Sequence, residues 1–161
     1  NGILREHEIT RMGEAEFASE LVIQLIDGYQ DKKSIDNYYK KYDDDLPNKT
    51  QIISRFRLVN DTISEILGDF LVISNFKYKL HYYTLFGVVN EIYSKISKAS
   101  HAKFKAAILS IDDVINKGPE EVTKKEASFY NASLKQVTDI SRRKIRHEYV
   151  KNVILLHLGH A

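Results

Sequence analysis

Apolar residues recur every three or four positions along the chain, the spacing that gives a helix one apolar face. The clearest stripe lies in a predicted helix over Glu14–Tyr29, in which Phe17, Leu21 and Leu25 follow one another at intervals of four. No segment alternates apolar and polar residues over the length that a half-buried strand needs. The pattern therefore predicts a fold built from amphipathic helices.

Six further helices follow from the same spacing, the first of them beginning after Ser34, a good N-cap residue. Four of the predicted spans are Ile35–Tyr42, Leu80–Ile96, His101–Lys117 and Glu120–Lys135. Of the other two helices, one is capped by Asn48 or Thr50 and ends near Leu67, and the last is capped by Thr138 or Asp139 and ends near Leu158. The segment Phe70–Phe76 is too short for its spacing to decide between a brief strand and a helical turn. The predicted fold class is all-α, a bundle of six or seven amphipathic helices, with one short strand at 70–76 as the open alternative.

Length and composition suit one folded domain over residues 1–161, because 43% of the residues are hydrophobic and 29% are charged. The absence of Cys excludes a disulfide framework, thiolate-bound zinc and a Cys nucleophile, and it fits a reducing compartment. Uninterrupted apolar runs such as Val153–Leu156 are far too short for a membrane span, and no signal-peptide pattern opens the chain. We therefore expect a cytoplasmic protein with no membrane partner. Because the chain opens on Asn1 rather than Met, we also expect a fragment of a larger multidomain protein.

A basic stretch in the last predicted helix is the sharpest charge feature of a chain whose net charge is only +2. It contains Arg142, Arg143, Lys144 and Arg146. Ile145 and Tyr149 would face the core and leave a cationic face outside, and such a face can contact phosphates. The four basic residues are therefore candidate contacts to DNA. The alternative is a solvated face paired with Asp139 and Glu148.

The sequence offers no recognisable catalytic centre. It has no HExxH zinc motif, no glycine-rich phosphate loop and no nucleophile elbow. Neither the pair His157 and His160 nor the acidic run Asp43–Asp45 has the companions that a metal site needs. We expect no catalytic residue, no cofactor and no metal in this chain.

Ten tyrosines and no tryptophan make up an unusual aromatic set. Tyr38-Tyr39 and Tyr82-Tyr83 place adjacent rings on different faces of a helix. At least one ring of each pair is therefore expected outside the main apolar stripe. Packing against a neighbouring domain is one use for such a ring, and stacking on nucleic-acid bases is another.

Three short motifs stand in and after the first predicted helix. They are Arg11-Met12-Gly13-Glu14-Ala15-Glu16, Leu25-Ile26-Asp27-Gly28-Tyr29-Gln30 and Tyr39-Lys40-Lys41-Tyr42-Asp43. With them, residues 9–60 resemble the helical part of domain-of-unknown-function family 262. These are ParB/sulfiredoxin-like proteins typified by the GmrS half of GmrSD type IV restriction enzymes, in which R-M-x-[DE]-x-[EF], L-x-[DE]-G-x-Q and Y-x-x-Y-[DE] follow one another. The stretch Ser141–Val150 is similar to late helices of such proteins.

The resemblance implies a supporting role. In that family nucleotide chemistry belongs to a DGQQR-like motif in an N-terminal α/β domain, and many members carry an HNH-type nuclease domain. This sequence contains neither motif, so no catalytic residue transfers to it. The implied function is a non-catalytic helical module of a restriction or phage-defence protein, which packs beside the N-terminal catalytic domain of the same parent, an NTP-dependent nuclease, and helps to position DNA. The alternative is a self-standing protein-interaction or oligomerisation bundle.

Overall fold

The computed structural model describes residues 13–32, 35–42, 46–135 and 138–160. Within those ranges it contains eight α-helices and no strand, so the all-α prediction is confirmed. The helices are α1 (Gly13–Asp27), α2 (Ile35–Lys41), α3 (Lys49–Leu67), α4 (Phe70–Ile73), α5 (Lys79–Ile92), α6 (His101–Asn116), α7 (Ala127–Leu134) and α8 (Ile140–Leu158). Short 3₁₀ turns lie at Asn75–Lys77, Tyr93–Lys95, Lys98–Ser100 and Pro119–Glu121.

Helix α5 is the centre of the bundle. It packs against α1, α3 and α8, while α8 also packs against α6 and α7. Residues 81–89 are all buried, because this stretch is apolar or aromatic on nearly every side and has a helix on several of its faces. The buried apolar residues form one cluster that draws on every helix except α2.

The predicted helices mostly agree with the structure. The apolar stripe of α3 is buried at Val59, Ile63 and Leu67, as its spacing predicted. Helix α1 ends before Gly28, whose φ of +75° lies in the left-handed region that favours glycine. The Ser34 cap, the acidic run 43–45 and Arg11 and Met12 of the first family-like motif lie outside the described residues.

The ambiguous segment 70–76 is helical, so the strand alternative is wrong. One turn of α-helix leads into a 3₁₀ turn that buries Phe76 completely. Asp112 of α6 holds this turn, since its Oδ1 accepts the backbone N–H of Asn75 at 2.7 Å and the Asn75 side-chain amide at 3.0 Å. Asp112 thus supplies the hydrogen-bond acceptor for the backbone N–H of Asn75, which in a strand would be supplied by a neighbouring strand.

The predicted helix Glu120–Lys135 is wrong in its first half. A 3₁₀ turn occupies Pro119–Glu121, and helix α7 covers only Ala127–Leu134. The carboxylate of Glu126 accepts the backbone N–H of Thr123 at 2.9 Å, which is one half of a capping box. Lys117 donates to the same carboxylate at 2.8 Å. These bonds start the helical turn after Thr123 instead of at Glu120.

None of the helices in the described part of the chain combines the length and the apolar character needed to cross a lipid bilayer.

Candidate functional site

The buried face of α8 is not the one that its aliphatic residues predicted. Its buried residues are Arg143, Arg146, His147, Val150 and Ile154, which follow one another at helical spacing. The predicted core residues lie to one side of this stripe. Ile145 is half-buried, and Tyr149 is half-buried with its ring stacked on Phe129 at 4.3 Å between centroids. The predicted orientation of α8 is therefore wrong, because polar partners from other helices meet its basic residues inside the bundle.

Arg143 forms a buried ion pair across the bundle. Its Nη2 donates to Oε2 of Glu20 on α1 at 2.8 Å, and Arg143 is only 4% exposed. The guanidinium carbon lies 4.1 Å from the centre of the Tyr83 ring, a cation–π contact. Arg143 is thus fixed by a carboxylate and an aromatic face, in a position that solvent barely reaches.

Arg146 is buried even more completely, at 1% exposure. Its Nη1 donates to the carbonyl oxygen of Ala132 at 2.7 Å, and its Nε donates to Thr84 Oγ1 at 3.4 Å. Burial and the neighbouring positive charge of Arg143 lower the pKa of Arg146 to about 10. Arg146 therefore still carries its charge at neutral pH.

The four basic residues proposed from the sequence do not form one surface. Lys144 is exposed and Arg142 is partly exposed, while Arg143 and Arg146 lie inside the bundle. A nucleic acid that lay along the outer face of α8 would meet Arg142 and Lys144 only. DNA contact by all four residues stays a prediction, and the structure separates them into an outer pair and a buried pair.

The buried pair lines a cavity of about 170 Å³ between α1, α5 and the beginning of α8. Its ionisable lining consists of Lys32, Lys79, Arg143, Arg146, Glu20 and Tyr83. Lys32 bridges Glu16 at 2.9 Å and Glu20 at 3.6 Å, and Lys79 donates to the carbonyl oxygen of Gly13 at 3.2 Å. We call this the cationic cavity.

Most residues of the cationic cavity were missed by the sequence reasoning. Glu20 carried the one usable signal, since it lies at helical spacing between Phe17 and Gln24 on the buried face of α1. A carboxylate inside such a stripe has to be neutralised when it is buried, which points to a buried cation elsewhere in the chain. Lys32 and Lys79 stand among other surface-type lysines in the sequence and give no comparable signal.

A chain of short hydrogen bonds runs beside the cavity. Tyr29 Oη lies 2.5 Å from His147 Nδ1, His147 Nε2 lies 2.5 Å from Glu91 Oε2, and Lys151 Nζ donates to Glu91 Oε1 at 3.2 Å. We call it the Tyr29–His147–Glu91 chain. It joins the segment after α1 to α5 and α8.

The order hydroxyl, imidazole, carboxylate is the order of a catalytic triad, but the electrostatics oppose that use. Burial raises the pKa of Tyr29 far above its ordinary value, so its hydroxyl keeps its proton and donates to His147. Burial lowers the pKa of His147, although its bond to Glu91 acts in the opposite direction. A neutral imidazole that accepts from Tyr29 and donates to Glu91 satisfies every member, which makes the arrangement a structural clamp.

Gly87 allows α5 to approach this clamp closely. A Cβ atom at this position would lie 2.4 Å from Gln24 Nε2 and 2.4 Å from Tyr29 Oη. The Tyr29 hydroxyl cannot move away without breaking its bond to His147.

We expect Gly87→Ala to lower the free energy of unfolding by about 1–3 kcal/mol, because overpacking outweighs the gain of up to ~1 kcal/mol in helix propensity. Urea unfolding followed by circular dichroism measures the change. The same substitution in a Tyr29→Phe background removes the closest rigid atom and should be milder. A more stable Gly87→Ala protein would contradict the close approach.

A second concave region lies on the other side of α1. A groove of about 450 Å³ separates α1 from α2 and is lined mainly by Val22, Ile26, Tyr38, Tyr39 and Tyr42. Past Ile26 and Tyr42 it continues into a second hollow of about 380 Å³ against the beginning of α3. We call the two together the tyrosine groove.

The two tyrosine pairs differ in their exposure to solvent. Tyr39 is 46% exposed at the tyrosine groove, as expected for one ring of the first pair. Tyr82 and Tyr83 are both buried, so neither ring of the second pair is left at the surface of the bundle. The reason is the central position of α5, which packs against α1, α3 and α8.

Across the described residues no three His, Asp or Glu side chains come close enough to hold a metal ion. The acidic run 43–45 lies outside those ranges.

No family model, no curated protein and no solved structure matches the chain.

Proposed function

We propose that this chain is a non-catalytic helical module of a restriction or phage-defence-type protein, and that the tyrosine groove docks it onto the N-terminal catalytic domain of the same parent. The groove is the observation that carries the proposal. The family resemblance of residues 9–60 supplies the class of protein.

The shape and lining of the groove suit a protein partner. Its walls are aliphatic side chains of α1, and its rim carries tyrosine rings, which are enriched at the centres of protein interfaces. Its two hollows, about 450 and 380 Å³, are continuous through Ile26 and Tyr42 and offer room for a row of side chains from a partner helix.

Residues of the family-like motifs build the groove. Tyr42 Oη donates to Asp27 Oδ2 at 2.8 Å, and Lys41 Nζ lies 3.2 Å from the same oxygen. Asp27 belongs to the motif that ends α1, and Lys41 and Tyr42 belong to the motif of α2. The contacts fasten α2 to the end of α1, so the motifs are suited to shaping this surface and need no catalytic explanation.

The polar interior supports the non-catalytic part of the proposal. In the Tyr29–His147–Glu91 chain the hydroxyl is buried and protonated, and both imidazole nitrogens are engaged. Such a chain has no group poised to attack a substrate.

Docking has a direct test in Tyr39→Ala. Against the separately produced N-terminal catalytic domain of the parent protein, we expect this substitution to weaken binding about tenfold or more, the loss of one interface hot spot. Isothermal titration calorimetry measures it. Leu134→Ala is the matched control, because Leu134 is also an exposed large apolar residue but lies on α7, away from the groove. If the wild-type chain and Tyr39→Ala bind the catalytic domain with equal affinity, the groove is not the docking surface.

The same groove also suits the alternative, in which a second copy of the chain occupies it. Light scattering of the isolated chain over a concentration series separates the two occupants. A dimer that dissociates in Tyr39→Ala assigns the groove to self-association, whereas a monomer that binds the catalytic domain supports the leading proposal.

DNA positioning takes a secondary place in the proposal. Only Arg142 and Lys144 of the four basic residues lie at the surface of α8. Two phosphate contacts release too few counterions to hold duplex DNA alone at physiological salt. They would orient a nucleic acid whose affinity comes from the catalytic domain.

A further inference from the structure

Arg55 lines the second hollow of the tyrosine groove, against the beginning of α3. We propose that the occupant of the groove is an amphipathic helix of the catalytic domain with an acidic side chain on its edge, and that Arg55 pairs with that carboxylate. The inference rests on the proposed docking function and names the chemistry of the partner. The apolar walls supply the contact area, and Arg55 fixes the register in which the partner helix lies.

The tyrosine groove presents one positive charge to its occupant. Among the described residues that line the two hollows, Arg55 is the one side chain with a net charge, since the others are apolar, aromatic or neutral polar groups. Lys41 and Asp27, which fasten α2 to α1, pair with each other at 3.2 Å and compensate each other. An acidic group is therefore the complement of this lining.

Neutral groups hold the guanidinium of Arg55 in place. Its Nε donates to Oδ1 of Asn90 at 2.7 Å, and its Nη2 donates to the Asn90 carbonyl oxygen at 2.5 Å. The guanidinium carbon lies 4.9 Å from the centre of the Tyr93 ring, a cation–π contact. In the described part of the chain no carboxylate forms an ion pair with Arg55. These contacts set the plane of the guanidinium without neutralising its charge.

A half-buried guanidinium of this kind favours an acidic partner over a neutral one. Asn90 accepts from Nε and Nη2, whereas Nη1 of Arg55 has no acceptor among the described residues. A docked helix would remove these N–H groups from water, which costs free energy unless an acceptor replaces the water. A carboxylate replaces it with charge-assisted bonds, and a basic side chain at the same place would be repelled.

The surroundings of Arg55 suit an acidic residue that stands beside aliphatic ones. Gln51 and Asn48 lie one and two turns before Arg55 and line the same hollow. Their amides can donate to a carboxylate, and the Asn48 side chain makes no capping bond to α3. Leu25 and Ile52 form the apolar part of the hollow. Aliphatic and acidic side chains next to each other are typical of the edge of an amphipathic helix.

The test measures binding of the chain to the N-terminal catalytic domain of the parent protein by calorimetry, at several sodium chloride concentrations. We expect the affinity of the wild type to fall as salt rises, because ions screen the pair. Arg55→Gln should weaken binding about tenfold at low salt and reduce this salt dependence. Arg57→Gln is the matched control, because Arg57 is exposed on the opposite face of α3 and outside both hollows.

Asn90→Asp is the second variant, and it leaves Arg55 unchanged. The new carboxylate has the size of the amide and lies where Oδ1 now accepts from Nε at 2.7 Å, so it neutralises the guanidinium from within the chain. An ion pair replaces a neutral bond, and the circular dichroism spectrum should stay the same. We expect a loss of affinity similar to that of Arg55→Gln. Full affinity of Asn90→Asp overturns the proposal, because the charge of Arg55 is then not needed.

Tyr39→Ala separates the failure of this inference from the failure of docking. If Tyr39→Ala weakens binding while Arg55→Gln binds like the wild type, the groove docks the domain and the ion pair is wrong. Neutralisation of Arg55 by the acidic run 43–45 of the chain itself would give that same result. If the wild type does not bind the domain, or if Tyr39→Ala binds equally well, both proposals fail. A wild-type dimer that dissociates in Arg55→Gln assigns the carboxylate to a second copy and overturns the choice of partner.

Discussion

Replacing Arg143 with methionine is expected to lower the free energy of unfolding by about 3 kcal/mol. The substitution leaves the carboxylate of Glu20 buried without its main counter-charge, and breaking a buried pair from one side typically costs about 3–5 kcal/mol. Lys32 lies 3.6 Å from the same carboxylate and keeps the loss near the lower end of that range. The cation–π contact with Tyr83 disappears as well.

Urea unfolding of Arg143→Met, Glu20→Gln and the double variant completes a cycle. We expect the double variant to recover most of the loss, since no buried charge then lacks a partner. Lys41→Met serves as the control, because Lys41 pairs with Asp27 at the surface, where solvent screens the ion pair and its loss should cost much less stability. If Arg143→Met costs no more than Lys41→Met, the guanidinium is in water and the buried site does not exist.

The helices could be predicted because their apolar spacing is strong and local. In α3 and α6 the buried residues are apolar and recur at helical spacing, for example Ile63 and Ile108. The buried face of each helix follows from apolar residues within about two helical turns of one another, so the sequence alone is enough to predict it. The misplaced start of α7 has an equally local cause, the side chain of Glu126, but its capping bond competes with a helical pattern that looks continuous.

The orientation of α8 shows what the local pattern lacks. The sequence marks Arg143 and Arg146 as charged, and charge alone assigns them to the surface. Their burial depends on Glu20, which is 123 positions away from Arg143, and on the Ala132 carbonyl and Thr84. No spacing rule connects residues on different helices, so the pairing needs the fold. The same holds for Lys32 and Lys79, which join the cavity only once α1 and α5 are packed.

Acidification is expected to destabilise the fold through His81. This residue is buried on α5, and burial together with the charge of Arg146 lowers its pKa from 6.5 to about 4. As pH falls below 6.5, His81 binds a proton in the unfolded chain but stays neutral in the folded chain, so the stability of the fold decreases until about pH 4. The difference of two and a half units corresponds to about 3 kcal/mol. His147 acts in the same direction, because burial lowers its pKa too.

Protonation of carboxylates also lowers the stability at acidic pH, so the contribution of His81 has to be isolated by substitution. The bonds of Glu91 to His147 and Lys151 lower the pKa of Glu91 despite partial burial, and the stability that they supply is lost as pH falls below about 4.5. His81→Leu cannot take up the proton and should lose about 3 kcal/mol less than the wild type between about pH 7 and pH 4. His101→Leu, at the half-exposed start of α6, is the matched control. The measurement is the urea midpoint of unfolding as a function of pH over this range. If the midpoints of His81→Leu and the wild type change in parallel, His81 is protonated in the folded protein, and its burial beside Arg146 is wrong.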